Sequence, residues 1–115
     1  MYGIGVMSGT SLDGLDIVCI DLVAYEKNKE IILVASKTVD YEMNFKEQLS
    51  EQCHNHTASL AKITMMNAYL GQFIGEQVIQ FLREQQLLVE KVAFISSHGQ
   101  TIFHEPVGAE EIFEI

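Results

Sequence analysis

The stretch ITMMNAYLGQFIGEQVIQFLR, residues 63–83, decides the fold. Ile63, Met66, Leu70, Phe73 and Ile74, Val78, and Phe81 and Leu82 recur at spacings of three and four. That is the period of one helix face turned toward a core. Lys62, Gln72, Glu76, Gln80 and Arg83 share the opposite face and are expected to meet solvent. No Pro falls between Thr57 and Gln86, so a long helix is predicted over residues 57–86. Such a helix carries a chain back across a sheet. The β-branched run that follows, residues 89–96, is therefore predicted as a strand parallel to a neighbour.

Working toward the N-terminus, three further apolar runs read as strands. Residues 4–7 form the first, followed by a turn over residues 8–14. Residues 15–25 form the second and residues 31–41 the third, joined by a polar hairpin turn around Lys27-Asn28-Lys29. Three strands with short links make an antiparallel meander. Asn44, with Glu47 three residues on, reads as a capping box opening a short helix that ends near Cys53. Beyond the fourth strand, residues 99–106 read as a loop and residues 111–115 as the start of another strand. The fold class is α/β: a mixed sheet, an antiparallel first-second-third meander, two helices, then a parallel strand. Ligands of such sheets bind beyond strand ends.

The chain has 115 residues, one domain's worth, with 48% hydrophobic and 20% charged residues, so wholesale disorder is excluded. Net charge is −9, which excludes a broad nucleic-acid or anionic-membrane surface. No apolar run approaches the length of a membrane span. Cys19 and Cys53 are the only cysteines and no signal peptide is apparent, so a reducing cytoplasm with free thiols is expected. The ending Ile112-Phe113-Glu114-Ile115 has no polar tail, from which a truncated chain is expected.

Two loops carry the chemistry. The first, Ser8-Gly9-Thr10-Ser11-Leu12-Asp13-Gly14-Leu15-Asp16, holds two glycines, three hydroxyls and two carboxylates. Gly9 and Gly14 have P-loop spacing, but Leu15 stands where that motif needs Lys, and a strand follows instead of a helix. A nest of backbone N–H groups remains possible. A carboxylate about 4 Å from a phosphate charge repels it by about 4 kcal/mol at an effective dielectric near 20. Asp13 and Asp16 would therefore demand Mg²⁺, bound largely through water. The competing reading is a hairpin turn capped by Asp and Ser, and composition alone favours it. The second loop, Ser97-His98-Gly99-Gln100-Thr101-Ile102-Phe103-His104-Glu105-Pro106, offers donors and acceptors suited to sugar hydroxyls and an acetamido carbonyl. Its competing reading has His98 and His104 satisfying buried backbone groups.

Val6-Met7 followed by the first loop resembles the opening motif of the anhydro-N-acetylmuramic acid kinases, and the second loop resembles that family's second signature. The order of the two, with a helical segment between, matches as well. The resemblance implies the N-terminal lobe of a two-lobed enzyme of the sugar kinase, Hsp70 and actin superfamily, with a ribonuclease H-like core. It implies ATP and Mg²⁺ as cofactors. It also implies conversion of 1,6-anhydro-N-acetylmuramic acid to N-acetylmuramic acid 6-phosphate in peptidoglycan recycling. Gly9, Thr10, Ser11, Leu12, Asp13, Gly14, Leu15 and Asp16 would form the ATP phosphate turn. Asp13 and Asp16 would serve Mg²⁺, and His98, Gly99, Gln100, Thr101 and His104 would stand on the sugar side, with His98 favoured over His104. The family's general base is an Asp of a later Asp-Thr-Gly-Pro-Gly-Asn motif, which these residues do not contain. The expected partners are ATP and an amino sugar, with no nucleic acid or membrane, and a homodimer is expected. Two rival readings are another phosphotransferase of the superfamily and a non-catalytic module that self-associates.

Other features are discounted. Cys53-His54-Asn55-His56 lacks a second ligand pair, so it reads as a polar loop and not a metal site. Gly71-x3-Gly75 is expected to allow close helix packing within the fold, and Met65 and Met66 to fill core.

Overall fold

The computed structural model describes residues 1–9, 12–54, 56–100 and 102. The order is β1 (Tyr2–Ser8), β2 (Gly14–Asp21), α1 (Leu22–Asn28), β3 (Leu33–Asp40), α2 (Met43–Gln52), α3 (Leu60–Glu84), a 3₁₀ turn (Val89–Lys91) and β4 (Val92–Gln100). The sheet runs β3-β2-β1-β4. β1 with β2 and β2 with β3 pair antiparallel, and β1 with β4 pairs parallel. The meander and the parallel fourth strand are as the sequence predicts.

Alternation splits the sheet into two faces. Ile4 and Val6 of β1 and Leu15, Ile17 and Cys19 of β2 turn inward and are buried. α3 covers them with Met66, Leu70, Val78, Phe81 and Leu82, and α2 adds Phe45 and Leu49. The helix register predicted from residues 63–83 is the observed one. On the far face Met7, Val18 and Phe94 remain exposed. Lys37 of β3 fastens the C-terminal end of α3 by donating to both carboxylate oxygens of Glu84, at 2.8 and 2.9 Å. This bond, first among the causes, lowers the Glu84 pKa below its ordinary value.

Several local expectations are corrected. The second strand stops at Asp21, because the Asp21 carboxylate accepts from the N–H groups of Val23 and Ala24 and caps a helix. The residues predicted as a hairpin turn therefore fall at the end of α1, which closes on Lys29 in the left-handed region at φ 57°. Among the described residues there are three α-helices, not two. α2 begins one residue before Asn44, with Glu42 at its cap and no side-chain cap bond. Asn44 instead accepts from Gln48 one turn on. α3 begins at Leu60, where the Ser59 hydroxyl caps the N–H of Lys62. The fourth strand starts at Val92 after the 3₁₀ turn and runs on through Gln100. Met65 is exposed, while Met66 is buried. Among the described residues a Cβ at Gly71 or Gly75 would meet nothing within 4 Å, so no close packing among them depends on these glycines. The predicted strand at residues 111–115 lies outside the described residues.

Phe81 is fully buried where α3 meets the sheet. Phe81→Ala should cost about 3–5 kcal/mol in equilibrium denaturation, the range for a large core aromatic.

Candidate functional site

The topology brings the C-terminal ends of β1, β3 and β4 and the start of β2 to one end of the sheet. Ser8 stands opposite Gln100 in the β1–β4 register, and Ser8 is also paired with Leu15 of β2. The two motif loops, separated by residues 17–96, thus leave the fold side by side.

A buried polar cluster ties them together. The Ser8 hydroxyl donates to Gln100 Oε1. Since that proton is committed, the Tyr41 phenol donates to Ser8 Oγ, 2.5 Å away. Gln100 Nε2 donates to the Gly9 carbonyl at 3.1 Å, reaching into the first loop itself. Tyr41 follows β3 directly, and its N–H donates to the Asp13 carbonyl at 3.0 Å, which extends the sheet ladder to the loop. The Tyr41 ring stands edge-on to Phe45, at 5.0 Å between centroids, and leans on Phe73 at 5.6 Å. Burial pushes the Tyr41 phenol above its ordinary value. At neutral pH it is a donor.

Gln100 reaches Ser8 because of a bulge. Val6 pairs with Ser97 and Ser8 with Gln100, so two steps on β1 face three on β4. The extra residue lies in His98-Gly99, and Gly99 adopts φ +69°, as bulges of this kind require. Ser97 Oγ accepts the Gly99 N–H at 3.1 Å. Without the bulge, strand alternation would put Gln100 on the far face.

The first loop folds back on itself. The Leu12 N–H donates to the Gly9 carbonyl at 3.1 Å, and Leu12 sits in the left-handed region at φ 60°. Its side chain packs against the core cluster. A non-glycine residue held there is uncommon and costs free energy that the surrounding packing must supply. Gly14 has a structural reason to be glycine. A Cβ there would lie 2.1 Å from the Val39 carbonyl oxygen. Of the sequence-predicted phosphate residues, Gly9, Leu12, Asp13 and Gly14 shape this turn, Leu15 is core, and Asp16 is on β2. Asp13 is exposed. Asp16 faces outward, where Thr38 Oγ1 donates to its carboxylate at 2.7 Å. Asp16 and His98 line one groove on the far face, with Met7, Val18 and Ser96. His98 therefore opens away from Gln100, which faces inward. Thr10, Ser11, Thr101 and His104 lie outside the described residues.

Among the described residues no three His, Cys, Asp or Glu side chains are grouped as a metal site. Two exposed carboxylates nonetheless suit Mg²⁺, which keeps most of its waters and takes one or two carboxylates plus ligand phosphates. Among the described residues no helix is long and apolar enough to cross a membrane. Cys19 is a free core thiol, raised in pKa chiefly by burial. Sequence reasoning counted Ser8 among the hydroxyls of the first loop without giving it a site role, and did not single out Tyr41. A hydroxyl at an inward position of β1 and a Tyr directly after β3 were the available signals.

A family model described as "Anhydro-N-acetylmuramic acid kinase" matches residues 1–114. A curated protein of that name from Pseudoalteromonas atlantica is 37% identical over 105 residues, which cover 91% of this chain and 26% of the relative. One from Pseudoalteromonas translucida is 36% identical over 103 residues, covering 90% and 26%. One from Clostridioides difficile is 32% identical over 106 residues, covering 92% and 28%. The chain thus spans about a quarter of the length of these relatives.

The two glycines should respond differently to substitution. Gly14→Ala forces a Cβ into backbone and should cost about 2 kcal/mol or more. Gly99→Ala meets open space and should cost about 1–2 kcal/mol from its backbone angle alone, with Gly99→Asn milder because Asn tolerates that region. Chemical denaturation of all three variants checks the order. Tyr41→Phe should cost about 1 kcal/mol below pH 10. Because the folded phenol binds its proton more tightly than the ordinary value of 10.0, that stability is present below this pH. It is lost as pH rises through the folded value. The gap between parent and variant should therefore shrink in alkaline unfolding curves.

Proposed function

Because the chain belongs to the anhydro-N-acetylmuramic acid kinase family, we propose that it forms the N-terminal lobe of a two-lobed, ATP-dependent sugar kinase. The reaction is hydrolysis and phosphorylation of 1,6-anhydro-N-acetylmuramic acid in peptidoglycan recycling, in the cytoplasm. Water adds at the anhydro bond, the γ-phosphoryl passes to O6, and ADP and N-acetylmuramic acid 6-phosphate leave. The mixed sheet suits the ribonuclease H-like lobe that the family resemblance implies. The observation that carries the reading is the Ser8–Gln100 register, which sets both family motifs at one end of the sheet.

Within this reading the backbone of the turn from Gly9 to Asp16, Thr10 and Ser11 included, orients the ATP phosphates. Mg²⁺, when bound, neutralises phosphate charge, and Asp13 and Asp16 hold its water shell. Gly99, Gln100, Thr101 and His104 orient the sugar, whereas His98, on the opposite face of β4 beside Asp16, takes no part in holding a ring on the Gln100 side. Catalysis then rests on positioning and charge neutralisation, without a protein nucleophile. The proton-accepting Asp belongs to a motif these 115 residues do not contain. The rival reading, a module that self-associates, has one observation in its favour: the exposed Met7, Val18 and Phe94 on the far face.

The full-length protein should convert Mg-ATP and the anhydro sugar to sugar phosphate, while the 115-residue chain alone should show no turnover. Failure of the full-length protein would sink the kinase reading. Asp13→Asn in the full-length protein should lower kcat/KM for Mg-ATP by about tenfold or more, from loss of a charge-assisted contact. An unchanged rate counts against the metal-assisted turn. Sedimentation of the isolated chain tests the rival, which requires a dimer or larger species.

A further inference from the structure

Between α2, α3 and the end of β4 lies a cavity of about 110 Å³. A single water needs only about 15 Å³. Leu49, Met66 and Leu70 give it an apolar lining, and Gln52, Asn67 and Gln100 supply its polar edges. Gln52 is only 4% exposed. Its Oε1 accepts the Ser59 N–H at 2.8 Å. A backbone N–H can only donate, so the amide cannot be turned the other way round. That leaves Gln52 Nε2 as the free end, and it is buried with no hydrogen-bond partner among the described residues. A buried donor in this position is costly unless an acceptor arrives.

Resting on the amino-sugar reading above, we propose that this cavity is the subsite for the acetamido group of the sugar. Gln52 donates to its carbonyl oxygen and Leu49, Met66 and Leu70 enclose its methyl group. The chemistry selects this group on two counts. Nε2 requires an acceptor, which excludes a cation or an ammonium. The apolar lining requires a hydrocarbon end beside that acceptor, which a hydroxyl lacks. The cavity also reaches Gly99 and Gln100 of the second motif, so the subsite adjoins the residues proposed to hold the sugar ring. Gln52 acts here as a specificity-determining residue and takes no part in bond making.

The test uses the full-length protein and two sugars, the N-acetylated anhydro sugar and an analogue with a hydroxyl in place of the acetamido group. Gln52→Leu should cut kcat/KM for the acetylated sugar at least about tenfold, mainly through KM, and leave the analogue within about twofold. An equal loss on both sugars marks a structural role, or a trapped water, and overturns the proposal, as does no loss at all. If Gln52→Leu does not fold by thermal melting, Gln52→Glu keeps the acceptor for Ser59 and removes the amide donor, with the same expected split. If the parent turns over neither sugar, the kinase reading fails and calorimetry decides the subsite. Binding of the acetylated sugar to the parent but not to Gln52→Leu upholds it, and binding to both or to neither overturns it.

Discussion

The parallel contact of β4 against β1 is the constraint from which the rest of the structure follows. β3 ends at the same end of the sheet as β1, so the chain must return to the opposite end before β4 can begin. α2 and α3 make that return. At 25 residues, α3 spans about 37 Å at 1.5 Å per residue. A nine-residue strand such as β4 covers about 30 Å. The helix is therefore long enough to cross the whole inner face, and its apolar stripe buries the inward residues of β1 and β2. The crossing also collects the ends of β1, β3 and β4 and the start of β2 at one place. The tie between Lys37 and Glu84 pins the far end of the same crossing to the edge strand β3.

At the collected end, alternation decides what each motif residue can reach. Ser8 points inward beside Tyr41 and Gln100, while Asp16 and His98 point outward into a shared groove. The one-residue bulge at His98-Gly99 makes this division possible, since it places consecutive polar residues of the second motif on opposite faces. One consequence is that Gly99 serves the site through backbone geometry. Among the described residues the space around its missing Cβ is open, which is a separate property.

Much of this was legible in the sequence. The 3.6-residue period of residues 63–83 and the β-branched runs gave the meander, the crossover and the parallel strand, and two motif loops at strand ends pointed to the site. The misses share a cause: short-range polar bonds that periodicity does not register. Asp21 capping α1 turned an apolar strand reading into a helix, and Ser59 in place of Thr57 set the start of α3. Gln52 was invisible because its meaning comes from burial beside Ser59, and burial of one Gln near a helix end has no sequence signature. Gly14 falls in the turn that the resemblance assigns to the ATP phosphates, yet the nearness of the Val39 carbonyl is reason enough for glycine.

Charge places a final demand on the site. No Lys or Arg precedes Lys27 and none follows Lys91. The strands that carry the motif loops, β1, β2 and β4, therefore contribute no permanent cation. Lys37 on β3 turns inward and is engaged by Glu84, so it cannot serve an anion above the loops. Asp16 adds a negative charge on the outward face, fixed in place by Thr38. A phosphate brought to the first loop by backbone N–H groups alone would face that charge at an energetic cost of several kcal/mol if the two came within about 4 Å. The neutralising charge must then arrive from outside these strands, as a divalent cation or as a basic residue from elsewhere in a longer protein. Either source makes anion binding conditional on a second component, so that this end of the sheet presents hydrogen bonds and shape while the charge is supplied by what assembles onto it.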